Sequence, residues 1–285
     1  MTQGVNRAIA ESHANGIVTS TTLMATGHAF AEAVAIAEKH PRLAVGCHIS
    51  LVQGSPLLPA PSLPTLASVE GSIEAPAGGR RLRSGFLQLA LAARRSRLDP
   101  EEIVAEATAQ IRKLQSAGIA VSHFDTHKHV HIIPEILRPL LRAARECGIR
   151  ALRNPFEPPG VLHPLQFASF RMLKRYPVVQ ALRSFAPAFR RLAKEAGMIT
   201  PQGAVGIAIT GSLNERELER MIRGLPEGDW ELVCHPAFID SELLRLSSLR
   251  SGEEEFRALT SVDIRRALEE SGVSLITFAD LAAEK

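Results

Sequence analysis

Aromatic side chains are scarce in this chain, with one Trp, one Tyr and 11 Phe among 285 residues, so its 45% apolar content must build a core rich in Ala and Leu. Cysteines are few as well. Cys47, Cys147 and Cys234 are odd in number, far apart and in no Cys-x-x-Cys spacing, which fits reduced thiols in a cytoplasm better than a disulfide framework. No apolar run approaches the roughly 20 residues of a membrane span, and Met1-Thr2-Gln3-Gly4 does not open a signal peptide. A surplus of one charge is also lacking: the formal net charge is +3 with Arg and Lys spread widely, so wholesale nucleic-acid binding is not indicated. The expectation is a soluble, cytoplasmic protein.

What the chain does have is histidine in one place. His123-Phe-Asp-Thr-His-Lys-His-Val-His131 holds four of the ten histidines in nine residues, beside Asp125 and just before Pro134. Crowded imidazoles repel once protonated, so packing alone rarely favours them, whereas a divalent metal favours neutral imidazoles with a carboxylate nearby.

The surrounding pattern alternates strands with helices. Helical spacing from Val5 to Asn15 stops at Gly16, Ile17 to Leu23 is β-branched and reads as a strand, and Ala29 to Lys39 is a helix ended by His40-Pro41. Leu43 to Leu51 is an apolar strand, Pro100 to Ala117 a helix with acids in its first turn, and Ile119 to Asp125 a strand leading into the histidine cluster. Further strands are expected at Ile149 to Arg153, Ala204 to Ile209, Trp230 to Cys234 and Val273 to Ile276, with helices after Pro134, Asn214 and Ser261. This is an α/β pattern, either a barrel or an open doubly wound sheet, and a single barrel-like domain over 1–285 is favoured. Two insertions stand out, a Pro- and Gly-rich loop at about 53–97 that would lie over the site and a basic helical segment at about 166–200. The basic segment could meet anionic head groups, although a solvated helix pair is the plainer reading. One detail departs from a barrel: the chain opens on a helix rather than a strand.

Three distant segments bring imidazoles to strand ends, where α/β folds carry reactive groups: His48, His127 and His235. Two imidazoles and a carboxylate with open positions would make a hydrolytic metal centre. Asp125 is either a partner that orients an imidazole or a catalytic carboxylate. His129 and His131 are divided between ligand and supporting roles. If the strand continued past Asp125, His127, His129 and His131 would share its face; if the chain turned helical, His127 and His131 would pair. His13, His28, His40 and His163 read as surface, cap or turn residues.

Taken in order, Gly4-Val5-Asn6-Arg7-Ala8-Ile9, Gly16 to Leu23, Gly46-Cys47-His48, Asp125 to His131 and Cys234-His235-Pro236-Ala237-Phe238-Ile239-Asp240 resemble the motifs of the YdjC-like carbohydrate deacetylases. The resemblance implies a distorted β/α barrel, often a homodimer, that removes the N-acetyl group from an amino sugar with one divalent ion, magnesium or alternatively zinc. By position His48 and His127 match the family's metal ligands, and His235 matches a histidine that assists as an acid. The family's acidic residues lie in an N-terminal strand ending Asp-Asp-Phe-Gly, just upstream of the segment that Gly4-Val5-Asn6 matches, and this sequence begins after it. A start assigned too late would account both for that gap and for the opening helix; weak metal binding and little turnover are expected of the chain as it stands. The expected substrate is an N-acetylated amino sugar, as an oligosaccharide or a glycolipid with peripheral membrane contact. The rivals are a non-catalytic sugar-binding relative and a metal-dependent phosphoesterase.

Overall fold

The computed structural model describes residues 2–68, 81–158, 161, 177–246 and 251–283. Part of the predicted loop, much of the basic segment and His163 lie outside these residues.

Helix α1 (Gln3–Asn15) follows Thr2 as its cap, and β1 (Ser20–Leu23), α2 (Phe30–Lys39) and β2 (Ala44–Ile49) come next. The segment after β2 forms a short pairing of β3 (Ala67–Ser68) with β4 (Arg81–Leu82), and the basic stretch behind it becomes α3 (Phe86–Arg94). Helix α4 (Pro100–Ser116) starts as its sequence dictates, with Pro100 in the first turn and the Asp99 carboxylate accepting from the Glu101 N–H at 2.9 Å. Then come β5 (Phe124–Thr126), α5 (Pro134–Glu146), α6 (Ala186–Glu195), β6 (Gly203–Val205), α7 (Glu215–Arg223) and β7 (Trp230–Leu232). Helices α8 (Ser241–Leu246), α9 (Gly252–Leu259), α10 (Val262–Glu270) and α11 (Phe278–Ala283) complete the described chain.

Strands β1, β2 and β5 form one parallel sheet in that order, and β6 pairs with β7, also in parallel. Parallel bridges from Phe124 to Leu152 and from Ala151 to Ile199 carry the neighbour order onward between the two. The fold is thus α/β with parallel strands. Alternation along β2 separates two faces: Val45, Cys47 and Ile49 are buried in the larger apolar cluster with Ile103, Leu114 and Ile136 of the helices, while Gly46 and His48 lie on the other side.

Among the described residues no ladder closes a barrel. A cavity of about 840 Å³ lies between β1 and β7, walled by Val18, Ser20, Met221, Leu232, Leu268 and Ile276. The strand expected at Val273 to Ile276 does not form. Val273 N–H instead caps the preceding helix through Leu268 O, and the Ile276 carbonyl accepts from the Thr19 hydroxyl at 2.7 Å, so a helix end and a side chain take bonds a ladder would need. The strand expected at 204–209 stops at Val205, where Gly206 takes a positive φ of 96°. Among the described residues no helix is long and apolar enough to cross a membrane.

Candidate metal and catalytic centre

The parallel register aligns His48 of β2 with Asp125 of β5, so both side chains leave the sheet on the same face. His48 Nδ1 lies 2.8 Å from Asp125 Oδ1. Asp125 is fully buried, and its Oδ2 accepts from Arg153 Nη1. Burial alone would raise this carboxyl, but Arg153 and then His48 outweigh it and hold it well below the usual carboxylate range. An ionised carboxylate only accepts, so the His48 proton sits on Nδ1 and the Nε2 lone pair faces outward.

His127 reaches the same place from the next turn of chain. Strand β5 ends at Thr126, and residues 127–132 form a tight 3₁₀ segment in which Lys128 and His129 take left-handed φ values of 56° and 53°. Neither extended nor regular helical geometry continues there, so the alternating face and the His127–His131 pairing are both corrected. A left-handed pair of non-glycine residues carries strain of roughly 1–2 kcal/mol each and reverses the chain within one turn. The outcome is a half-buried His127 whose Nε2 lies 2.8 Å from Gln53 Oε1 and whose Nδ1 lies 3.4 Å from His48 Nε2. The Gln53 amide oxygen accepts from Nε2–H, which leaves a lone pair on Nδ1. Two lone pairs then face each other across 3.4 Å. Burial above all lowers the His127 pKa to about 4, so this imidazole stays neutral.

That pair fits two ligands of one cation. Donors about 2.1 Å from an ion at a tetrahedral angle stand roughly 3.4 Å apart, the spacing found here. Among the described residues, however, no group of three His, Cys, Asp or Glu is placed to hold a metal. The protein thus offers two imidazole donors with a carboxylate behind one of them.

The remaining candidates separate. His131 is fully buried, with Nδ1 2.6 Å from Thr126 Oγ1 and its ring 5.9 Å from that of Phe189; burial above all lowers its pKa to about 3. His129 is turned inward with its Nδ1 shielded and unpartnered, and burial together with Arg153 pushes its pKa well down. His123 stacks on Phe278 at 3.8 Å on the inner side of the sheet, and Gly46 makes room for it: a methyl at Gly46 would lie 2.6 Å from His123 Cε1 and 2.7 Å from its carbonyl oxygen. His235 is exposed just beyond β7, its N–H bonded to Glu255 Oε2 at 2.6 Å, and near enough that its charge would bear on His127. His28 pairs with Glu242 at the surface and His13 bonds Val18 O, as their neighbourhoods in the sequence suggest.

Three functional neighbours escaped the sequence reading. Gln53 sets the His127 tautomer, and the only hint is its place five residues past His48. Arg153 and Glu231 are charged residues in predicted apolar strands, which was a usable signal. Arg153 gives Nη1 to Asp125, while Nε and Nη2 lie 2.8 and 2.7 Å from Glu231 Oε1. Burial raises the Glu231 carboxyl, only partly offset by Arg153, and its Oε2 is buried without a partner.

The family described as YdjC-like protein matches residues 1–270. A carbohydrate deacetylase of Brevibacillus brevis is 29% identical over 98% of this chain and 94% of its own length. One of Geobacillus stearothermophilus is 31% identical over 98% and 92%. A crystal structure from Enterococcus faecalis, described as a proposed cellobiose-phosphate cleavage protein, superposes with a TM-score of 0.74 at 25% identity, covering 98% of this chain and 94% of that one.

Proposed function

Because the chain belongs to the YdjC-like family, we propose that it is a carbohydrate deacetylase, hydrolysing the N-acetyl amide of an amino sugar on a distorted β/α barrel. Its matched relatives carry the deacetylase name across nearly their whole length. The observation that carries the reading on this chain's own residues is the convergence of His48 Nε2 and His127 Nδ1 at 3.4 Å, with Asp125 behind His48.

His48 and His127 would hold a divalent cation, magnesium or zinc, which when bound supplies a Lewis acid for the acetyl carbonyl and lowers the pKa of coordinated water. Asp125 keeps His48 in the tautomer that turns Nε2 toward the ion. Gln53 does the same for His127. His235, exposed at the rim, is suited to give a proton to the departing amine. Only two protein donors stand together among the described residues, so turnover is expected to be slow unless a third, anionic donor joins them.

Acetate release from di-N-acetylchitobiose, measured with added Mg²⁺ and again after chelation, tests the reading. Release that chelation abolishes supports it. Sugar binding by calorimetry without acetate release would replace it with a non-catalytic relative, and turnover of sugar phosphates alone would replace it with a phosphoesterase.

A further inference from the structure

The polar chain behind the imidazoles does not end at Asp125. From His127 it runs to His48 on β2, Asp125 on β5, Arg153 beside Leu152 of the next bridged segment, and Glu231 on β7. Strands β2, β5 and β7 and the bridged segment at Leu152 each contribute a group, with the segment running from Ile199 into β6 lying between the last two. Arg153 and Glu231 have side chains only 12% and 11% exposed, and Asp125 none, so three charged groups are withdrawn from water together.

Stability is a poor explanation for such an arrangement. Desolvating buried ions commonly offsets what their attraction returns, and apolar replacements of similar volume are often neutral or better. The geometry has a direction instead. The guanidinium is planar and presents separate edges. Its Nε and Nη2 are both committed to one oxygen of Glu231, which fixes the plane and leaves Nη1 aimed at Asp125 Oδ2. With Oδ2 held, Oδ1 is the oxygen turned to His48 Nδ1. Two carboxylates share one arginine, so when both are ionised the chain carries one net negative charge beside the two imidazoles, the sign that favours a cation there.

We propose that Arg153, anchored by Glu231, is a positioning residue for the centre: it fixes Asp125 and through it the Nδ1-protonated tautomer of His48, so that Nε2 is presented as a donor toward His127. This rests on the metal-centre reading only for its use, since the tautomer exists without metal or sugar. Without the guanidinium nothing pins Oδ2, so the Asp125 carboxylate is free to turn and Oδ1 no longer holds the Nδ1–H of His48 in place.

Long-range proton–nitrogen NMR of histidine-labelled, metal-free protein, with His48 assigned by its loss in His48→Gln, reads this directly. The wild type is expected to show His48 protonated on Nδ1. Arg153→Met is expected to move the proton to Nε2 in a substantial fraction of molecules and to weaken Co²⁺ binding, followed by calorimetry, about 10- to 100-fold. Arg153→Lys keeps the charge without the two-edged fork and should recover most of the tautomer but less of the affinity. If Arg153→Met does not fold, Arg153→Gln, which keeps a donor but no charge, is expected to shift both readouts in the same direction. A folded Met or Gln variant with an unchanged His48 tautomer overturns the proposal, even if the wild type deacetylates sugars. Conversely, a wild type that neither binds Co²⁺ nor releases acetate defeats the deacetylase reading while leaving the tautomer result to decide Arg153.

Discussion

Arg142 and Arg153 both bridge two carboxylates, and their surroundings make them different objects. Arg142, on α5, pairs with Glu101 of α4 and with Glu146 one turn along its own helix, from a side chain 45% exposed. Arg153 links Asp125 to Glu231 from a side chain 12% exposed, and the far side of Asp125 is an imidazole of the candidate centre. Water and salt screen the first pair, so its geometry is replaceable. The second has no solvent to substitute for a lost partner, so each member fixes the next. Burial, rather than the number of ion pairs, separates the region that can carry chemistry from the region that merely covers it.

The most severe way to break the comparison is at Asp125. Asp125→Asn offers an amide where a carboxylate took the Nδ1 proton, and its NH₂ must face either His48 or Arg153. An amide behind a working imidazole imposes the wrong tautomer, so acetate release should fall by about 10² to 10⁴. Circular dichroism should show the fold retained; a variant with near-native turnover would mean that Asp125 orients nothing.

Next in size is His127→Ala, which removes one of the two facing donors while leaving His48 and Asp125 paired. Divalent-metal affinity should drop at least 10-fold with little change in melting temperature, because His127 is half-buried at the rim. Equal Co²⁺ affinity in the variant would separate the imidazole pair from metal binding.

Gly46→Ala probes the packing beneath the site. The added methyl would meet both the His123 ring and its carbonyl oxygen, and the latter is backbone that cannot swing away. A loss of about 1–3 kcal/mol is expected from such overpacking. Urea denaturation measures it, and unaltered stability would show that the β2–β5 contact yields easily.

Acid sharpens the contrast again. His123 and His131 are buried neutral, with pKa values lowered to about 3 by burial, against 6.5 when unfolded. Their folded values are depressed, so the unfolded chain binds more protons between those limits. Stability is therefore present above about pH 6.5 and lost progressively as pH falls toward 3. The urea midpoint should decline between pH 7 and 5, and His123→Phe should flatten the decline; an unchanged slope would point to other groups.

How much of this the sequence carried depends on the kind of contact. His48 was legible because a polar residue stands out near the end of an apolar strand. The helices α4 and α5 were legible through their prolines and first-turn acids. The His48–Asp125 pairing was not, because it depends on strand register, which two short strands do not declare. The turn at Lys128–His129 was also hidden, since neither residue is the glycine that left-handed geometry prefers. Arg153 and Glu231 were visible as charges in apolar strands, but their meeting depends on which strands neighbour one another, a property of the assembled sheet. The barrel-like alternation holds as parallel strands, but among the described residues no ladder joins β1 to β7, where 273–276 gives its backbone bonds to Thr19 and to the end of α10.

The smallest expected effect belongs to the exposed bridge, and a near-zero result there is what gives the larger ones their meaning. The Arg142 hydrogen bond holds the Glu101 carboxyl below its ordinary value, a shift that at the surface says little about stability. Arg142→Ala should leave the melting temperature, Co²⁺ affinity and acetate release unchanged within error. Raising ionic strength to about 1 M, where the screening length is roughly 3 Å, should abolish any residual difference between that variant and the wild type. The same salt should leave the His48 tautomer untouched, because Asp125 and Arg153 have no water between them to carry the counter-ions. If instead Arg142→Ala lowered stability as much as Arg153→Met, burial would not be what distinguishes the two arginines. The polar chain from His127 to Glu231 would then be one more structural ion pair.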